Sequence, residues 1–303
     1  MDDWCPESSL LKKIILTGDD FGLSLRIDEA IEEAHRRGIL TAASLMVGGN
    51  AAKDAVDRAR RLSSLRVGLH LVLVDGSPIL SPQLVPDLVT KKGEFSSHLV
   101  RAGINFVFRQ RVRRQLEDEI RAQFQAFLDT GLPLDHVNTH HHMHLHPTVS
   151  ELVLKIGRDY GLRAMRLPYE PLLPSWRASG KNFFRRTSTW LLLSPWVSLL
   201  KKKFKRERVH SNDFVFGMND SGHMNLDLLL RFLSQLPRGV TEIYFHPGGD
   251  TKELEALTHP AIRQALLSSQ TQPISFSDLS AATAGRSMQH PGRQGGCPPS
   301  AVR

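Results

Sequence analysis

The sequence predicts an α/β fold built from strand–helix units around a parallel sheet. Short apolar runs alternate with helical patterns along most of the chain, the order that such units require. The first run, residues 13–17, is apolar almost throughout instead of alternating with polar residues, as expected where helices cover both faces of a sheet. With 303 residues, 41% of them hydrophobic, the chain can fill one barrel-sized core or two smaller ones.

Taken in order, residues 1–11 read as a flexible leader. Residues 13–17 are nearly all apolar and read as a buried strand. They run into Gly18-Asp19-Asp20-Phe21-Gly22, and a helix over 25–37 follows, with Gly38 as its cap. Residues 43–47 are a second strand, 51–62 an Ala- and Arg-rich helix, and 67–74 a third strand with His70 at its centre. Pro, Gly and Ser punctuate 77–105, predicting a long loop over the strand ends of the kind that shapes a substrate cleft. Val112, Leu116, Ile120, Phe124 and Phe127 recur at helical spacing and define a helix over Gln110–Asp129, ended by Gly131 and Pro133. A strand over 135–140, a helix over 149–160 closed by Gly161, and a strand over 163–167 come next. Residues 168–222 resist regular assignment and read as an insertion. A helix over 226–236, a strand over 242–245, a helix over 261–268 and a last strand over 274–276 complete the pattern. One domain thus spans 12–281, and 282–303, rich in Gly, Pro, Gln and Arg, reads as a disordered tail.

The net charge is +8 and unevenly placed. Residues 201–208, Lys-Lys-Lys-Phe-Lys-Arg-Glu-Arg, follow an apolar stretch that holds Trp190 and Trp196. Cations beside indoles suit contact with anionic headgroups at a membrane surface, and an ordinary buried helix with a solvated basic end accounts for the same pattern. No helix-turn-helix, zinc-finger or RNA-binding signature accompanies the charge, so nucleic acid is not expected as a partner. Two cysteines, Cys5 and Cys297, lie near opposite ends and form no disulfide framework, which points to a reducing compartment. Two aspartates stand where a secretory leader needs positive charge, and no run of about 18 apolar residues occurs, so a cytoplasmic protein is expected.

Residues 135–147, Asp-His-Val-Asn-Thr-His-His-His-Met-His-Leu-His-Pro, hold six of the fourteen histidines. Imidazole is the commonest ligand of divalent transition metals, and such density in mid-chain exceeds what packing explains. Asp19-Asp20, His70, His140 and His246 each fall on or just past the C-terminal end of a different expected strand. In parallel α/β folds those ends form the active-site face. Two adjacent carboxylates repel, so partial burial at a strand end calls for a cation or a shared proton; in a plain loop the pair serves as a turn or a helix cap. One Asp and two His leave coordination positions for water, as catalytic metal sites do. A divalent ion there supplies hydroxide near neutral pH and polarises a carbonyl. The second aspartate then serves as general base and His246 as general acid, which amounts to hydrolysis of an amide or ester.

Four motifs in order resemble the YdjC-type carbohydrate deacetylases, also called the ChbG/HpnK family. They are Thr-Gly-Asp-Asp-Phe-Gly-Leu-Ser (17–24), Gly-Leu-His-Leu (68–71), Asp-His-Val-Asn-Thr-His-His-His-Met-His (135–144) and His-Pro-Gly (246–248), and the similarity covers residues 12–280. Residues 38–49, 65–74 and 241–247 are similar to the HpnK branch, which is associated with hopanoid biosynthesis. The three consecutive histidines at 140–142 resemble the chitooligosaccharide branch instead.

The resemblance implies a single (β/α) barrel, seven-stranded or irregular and TIM-like, related to polysaccharide deacetylases. It implies one divalent metal ion on Asp20, His70 and His140, magnesium or zinc, with manganese and iron as further candidates. Asp19 becomes the base, His246 the late family histidine, and Arg166 the arginine that orients the base. His142, His144 and Phe21 are candidates for substrate contact. The implied reaction removes acetyl from an N-acetylglucosamine-type sugar, carried by a glycosylated hopanoid lipid or by a soluble chitooligosaccharide. A metal-binding protein without catalysis is the reading from a different class, and the paired aspartates argue against it. A lipid-borne sugar would place the enzyme at the inner membrane surface, with Trp190, Trp196, Lys201, Lys202 and Lys203 as contact residues. A homodimer is compatible with the chain.

Overall fold

Ile14, Ile15 and Leu16 are all without solvent exposure, so the first strand is apolar on both faces and belongs in the middle of a covered sheet. The computed structural model describes residues 12–249 and 251–280. In chain order its elements are β1 (Lys12–Phe21), α1 (Leu25–Arg36), β2 (Ala42–Leu45), α2 (Ala52–Arg61), β3 (Arg66–Leu71), α3 (Leu99–Phe108), α4 (Gln110–Asp129) and β4 (Val137–Thr139). A short 3-10 segment, His140–Leu145, leads to α5 (Pro147–Asp159), α6 (Leu172–Ser179), α7 (Phe183–Glu207), β5 (Phe214–Phe216), α8 (Leu226–Ser234), β6 (Val240–Phe245), α9 (Thr251–Thr258), α10 (Pro260–Ser268) and β7 (Thr271–Pro273).

The seven strands form one sheet in the order β4-β3-β2-β1-β6-β5, with β7 on the lower part of β1. Every pairing is parallel, and the sheet curls into a half-barrel with the helices around it. Residues 163–167, expected as a strand, are extended but make only single bridges, Val137 to Met165 and Ala164 to His210, across the gap between β4 and β5.

Strand side chains alternate between faces, so one parity of each strand looks into the barrel. At the lower end the inward residues Ile15, Ala42 and Ala164 pack with Ile274 and Phe276 into an apolar plug. Above it the inward positions turn polar: Thr17 and Asp19, Ser44, His70, His136 and Asn138, Arg166, Glu242 are all buried. The outward residues, Ile14 and Leu16 among them, join the main core under the helices.

Several elements differ from expectation. The anticipated loop over 77–105 ends in α3, whose Val100, Ile104, Val107 and Phe108 face solvent while Phe106 is buried. That reversed pattern hides it from a search for a buried stripe. The region 168–222 is mostly helical: α6 and the 25-residue α7, which carries Pro195 inside it. Gly38 does not cap α1, whose cap is Arg37 in right-handed conformation. The last strand is β7, not 274–276, and α9 was not anticipated. The expected leader and tail, with Cys5 and Cys297, lie outside the described residues.

Candidate metal centre and active site

Asp19 and Asp20 are neighbours on β1, and in a regular strand their side chains would point to opposite faces. The β1–β2 register shifts between Gly18 and Phe21, and Asp20 has φ 63. This bulge brings both carboxylates to the barrel mouth, as bulges beside active sites do. Asp28, on α1, pins the following turn through its Oδ1, which accepts from the Gly22 amide at 2.7 Å, and burial pushes Asp28 up to about 7.

Oδ1 of Asp20 lies 3.3 Å from Nε2 of His70 and 3.3 Å from Nδ1 of His140, and those two nitrogens are 3.3 Å apart. Ligands about 2.1 Å from a shared ion are separated by roughly 3.0–3.4 Å, so the triangle fits one cation. Oδ1 of Asp20 is buried and has no well-formed hydrogen bond. Asn138 settles what the imidazole of His70 offers. Its amide nitrogen donates to Asp19 and to Ser44, at 3.0 and 2.8 Å, so its oxygen must accept from Nδ1 of His70 at 2.6 Å. Nε2 of neutral His70 is then a bare lone pair facing Asp20 and His140.

Arg166 is fully buried between two carboxylates, donating to Asp19 at 2.6 and 3.0 Å and to Glu242 at 2.7 and 2.9 Å. Burial opposes charge on Asp19, but Arg166, then His70 and His246, hold its carboxyl well below the usual range. Burial opposes charge on Asp20 too, and the imidazoles of His140 and His70 lower it strongly. Asp19, Asp20 and Glu242 carry three formal negative charges against one positive on Arg166. The excess of two in a buried site is what a divalent cation balances.

The remaining histidines separate because His141 and His142 adopt left-handed backbone, with φ 53 and 52. His141 turns outward to Asp75 at 3.2 Å, while His142 turns inward to the hydroxyl of Tyr244 at 3.0 Å. Burial, then Arg166, lowers His142 well below the ordinary imidazole range, and burial raises Tyr244, so both are held neutral. His246 presents Nε2 4.0 Å from Oδ2 of Asp20, and Ser221 lies 3.3 Å from its Nδ1. A cavity of about 270 Å³ opens here, lined by Asp19, His70, His140, His142, Tyr244 and His246, with Leu99, Met218 and Ser221 at its edge.

Two expected substrate contacts are corrected. Phe21 is fully buried in the core, and His144 has no exposure, its Nδ1 held 2.7 Å from Thr139. Trp190 lines a pocket beneath α7, whereas Trp196 is 49% exposed; Lys201 and Lys202 are exposed and Lys203 is partly buried. The expected set omits Asn138, Glu242 and Tyr244. Each is polar at an inward position of its strand, a signal visible at alternate residues.

The YdjC-like protein family matches residues 13–268. A protein of Brevibacillus brevis named carbohydrate deacetylase is 30% identical over 270 residues, 88% of this chain and 99% of that one. A carbohydrate deacetylase of Geobacillus stearothermophilus is 37% identical over 158 residues, 52% of this chain and 59% of its own. A crystal structure from Enterococcus faecalis V583 superposes with TM-score 0.69 at 24% identity, over 89% of this chain and 99% of the other, a likeness of fold. The family match spans most of the chain and one relative aligns over nearly its whole length, so this protein belongs to the YdjC-like protein family.

Proposed function

We propose that the chain is a metal-dependent carbohydrate deacetylase, a hydrolase that cleaves the acetamide of an N-acetylglucosamine-type sugar. The observation that carries this is the 3.3 Å triangle of Asp20, His70 and His140 beside an aspartate, Asp19, kept ionised by Arg166. Asp20, His70 and His140 would hold the ion. A divalent cation there makes water acidic and polarises a carbonyl oxygen. Asp19, negative at neutral pH and fixed by Arg166 and Asn138, takes the proton from the attacking water. His246, partly exposed at the cavity, is placed to protonate the departing sugar amine. Tyr244 and His142, both neutral and facing the cavity, offer hydrogen bonds to the sugar.

The finer reading places the sugar on a glycolipid, with hopanoid as the lipid class. Exposed apolar side chains on two helices near the mouth support it: Val100 and Phe108 on α3 are 78% and 80% exposed, and Phe184 and Leu192 on α7 are 87% and 70% exposed. Among the described residues no helix is long and apolar enough to cross a membrane, so contact would be peripheral.

Acetate release tests both levels. The metal-stripped enzyme, resupplied with zinc, magnesium, manganese or iron, should regain activity and melt at a higher temperature with its preferred ion. Faster release from an N-acetylglucosaminyl lipid than from a soluble chitooligosaccharide supports the glycolipid. Release that survives His140→Ala or Asp19→Asn overturns the catalytic assignment.

A further inference from the structure

Below the metal-ligand set, a line of hydrogen bonds runs down through the polar layers of the barrel toward the apolar plug. Asn138 donates to Ser44 at 2.8 Å, so the Ser44 hydroxyl is left to donate to Nε2 of His136, 3.0 Å away. Nδ1 of His136 then carries its proton and donates to Asp135 at 2.9 Å, and the other oxygen of Asp135 accepts the Ser277 amide at 2.9 Å. Asp135, His136, Ser44 and Asn138 are each at least 95% buried, so this Asp–His–Ser arrangement reaches no substrate and Ser44 is no nucleophile. Each group has one polarity only: an acceptor at Asp135 fixes His136, which fixes Ser44, which fixes Asn138.

The surroundings are shaped to hold the His136 ring. A side chain at Gly68 would meet His136 atoms at 2.5 Å, so the glycine of Gly-Leu-His-Leu makes room for this imidazole. Phe276 stacks on its other side, with ring centroids 4.5 Å apart and planes at 27°. The glycine two residues before a metal-ligand candidate thus serves a ring on the next strand.

We propose that Ser44 and His136 are positioning residues for the ligand set. The line Asp135–His136–Ser44–Asn138 prevents the Asn138 amide from turning over. A turned amide would offer His70 a donor, push the His70 proton from Nδ1 to Nε2, block the ligand nitrogen and withdraw a hydrogen bond from Asp19. This rests on the metal reading above, but concerns groups that reading does not use.

The test takes full-length protein labelled with ¹⁵N in histidine, free of metal, as wild type and as Ser44→Ala, His136→Phe and His136→Gln. Phenylalanine keeps the stack on Phe276 and removes both nitrogens; glutamine keeps an acceptor for Ser44. Long-range ¹H–¹⁵N spectra taken at alkaline pH, where the ring is neutral despite the neighbouring Asp20 and Asp19 carboxylates, should show His70 with its proton on Nδ1 in wild type and in His136→Gln, and a tautomer mixture in the other two. Zinc affinity, measured against a competing chelator, should fall about 10- to 100-fold in Ser44→Ala and His136→Phe and much less in His136→Gln. Folded variants with the wild-type His70 pattern and zinc affinity overturn the proposal. If His136→Phe does not fold, Ser44→Ala decides alone. A wild type that binds no zinc sinks the metal reading, while the His70 spectra still decide this one.

Discussion

Arg166 holds two buried carboxylates apart from each other and in register, and its geometry makes a sharp expectation for replacement. Lysine cannot make two-pronged contact with Asp19 and Glu242 together. In Arg166→Lys the Asp19 pKa should rise toward the ordinary carboxylate value. In the proposed mechanism Asp19 is the base in its ionised form, so the acid limb of the kcat/KM profile should move to higher pH. Arg166→Met leaves both carboxylates buried without a cation, though Asn138 still donates to Asp19 and Thr17 to Glu242, and should cost roughly 3–5 kcal/mol in urea unfolding. His144 makes a prediction of opposite chemistry. Burial, reinforced by Arg166, pushes it down to about 3, so the folded state keeps it neutral. The unfolded chain binds a proton there below about pH 6.5, hence stability is fully present above that pH and declines as pH falls toward 3. His144→Asn should reduce the steepness of acid unfolding between these limits by about one bound proton, read from melts at several pH values.

Among the elements, the bulge in β1 and the α6–α7 region do the most to build the site. In that bulge and in the 3-10 segment after β4, three non-glycine residues, Asp20, His141 and His142, sit in left-handed backbone, and such strain persists only where the surroundings hold it. The bulge delivers two adjacent carboxylates to one side, and the two turned histidines send three consecutive imidazoles in three directions. Helix α7 is joined to the cavity edge through Arg186, buried, which pairs with Glu170 at 3.2 Å and with Asp220 at 2.6 Å. Asp220 sits between Met218, which lines the cavity, and Ser221, which contacts His246. Arg186→Met should therefore lower the melting temperature by several degrees and raise KM more than it lowers kcat. Equal loss in both parameters, with an unchanged melt, would show that this ion cluster leaves the cavity edge unaffected.

At the scale of the molecule, the glycolipid reading predicts surface behaviour. The protein should co-sediment with vesicles containing anionic lipid. Replacing Lys201, Lys202, Lys203 and Lys205 by glutamine should weaken binding, at about 1 kcal/mol per cation near the surface, less at Lys201, which already pairs with Asp213 at 3.1 Å. Equal binding by both proteins removes α7 as a membrane element. The order of βα units, Gln110–Asp129 as a helix, and the placing of Asp19-Asp20, His70, His140 and His246 at separate strand ends could be read from residue order, because apolar runs and helical spacing are local properties, whereas Asp20, His70 and His140 as a metal set came from the family resemblance. The helices α3 and α7 could not, since many of their apolar side chains face outward, and on α7 exposed Leu191, Leu192, Trp196 and Leu199 interleave with the buried Val197, Leu200 and Phe204. Asn138, Glu242 and Tyr244 escaped because their strands are read as whole runs, whereas the inward positions alone line the barrel. By itself the sequence determined the chemistry available at the strand ends: which carboxylates, which imidazoles and on which strands. Only the tertiary structure decided how the three consecutive histidines part, which nitrogen of His70 is bare, and that Arg166 is shared between Asp19 and Glu242. Those outcomes depend on strand parity, a one-residue bulge and the hydrogen bonds each buried group must satisfy, and none of these is set until the sheet has closed around them.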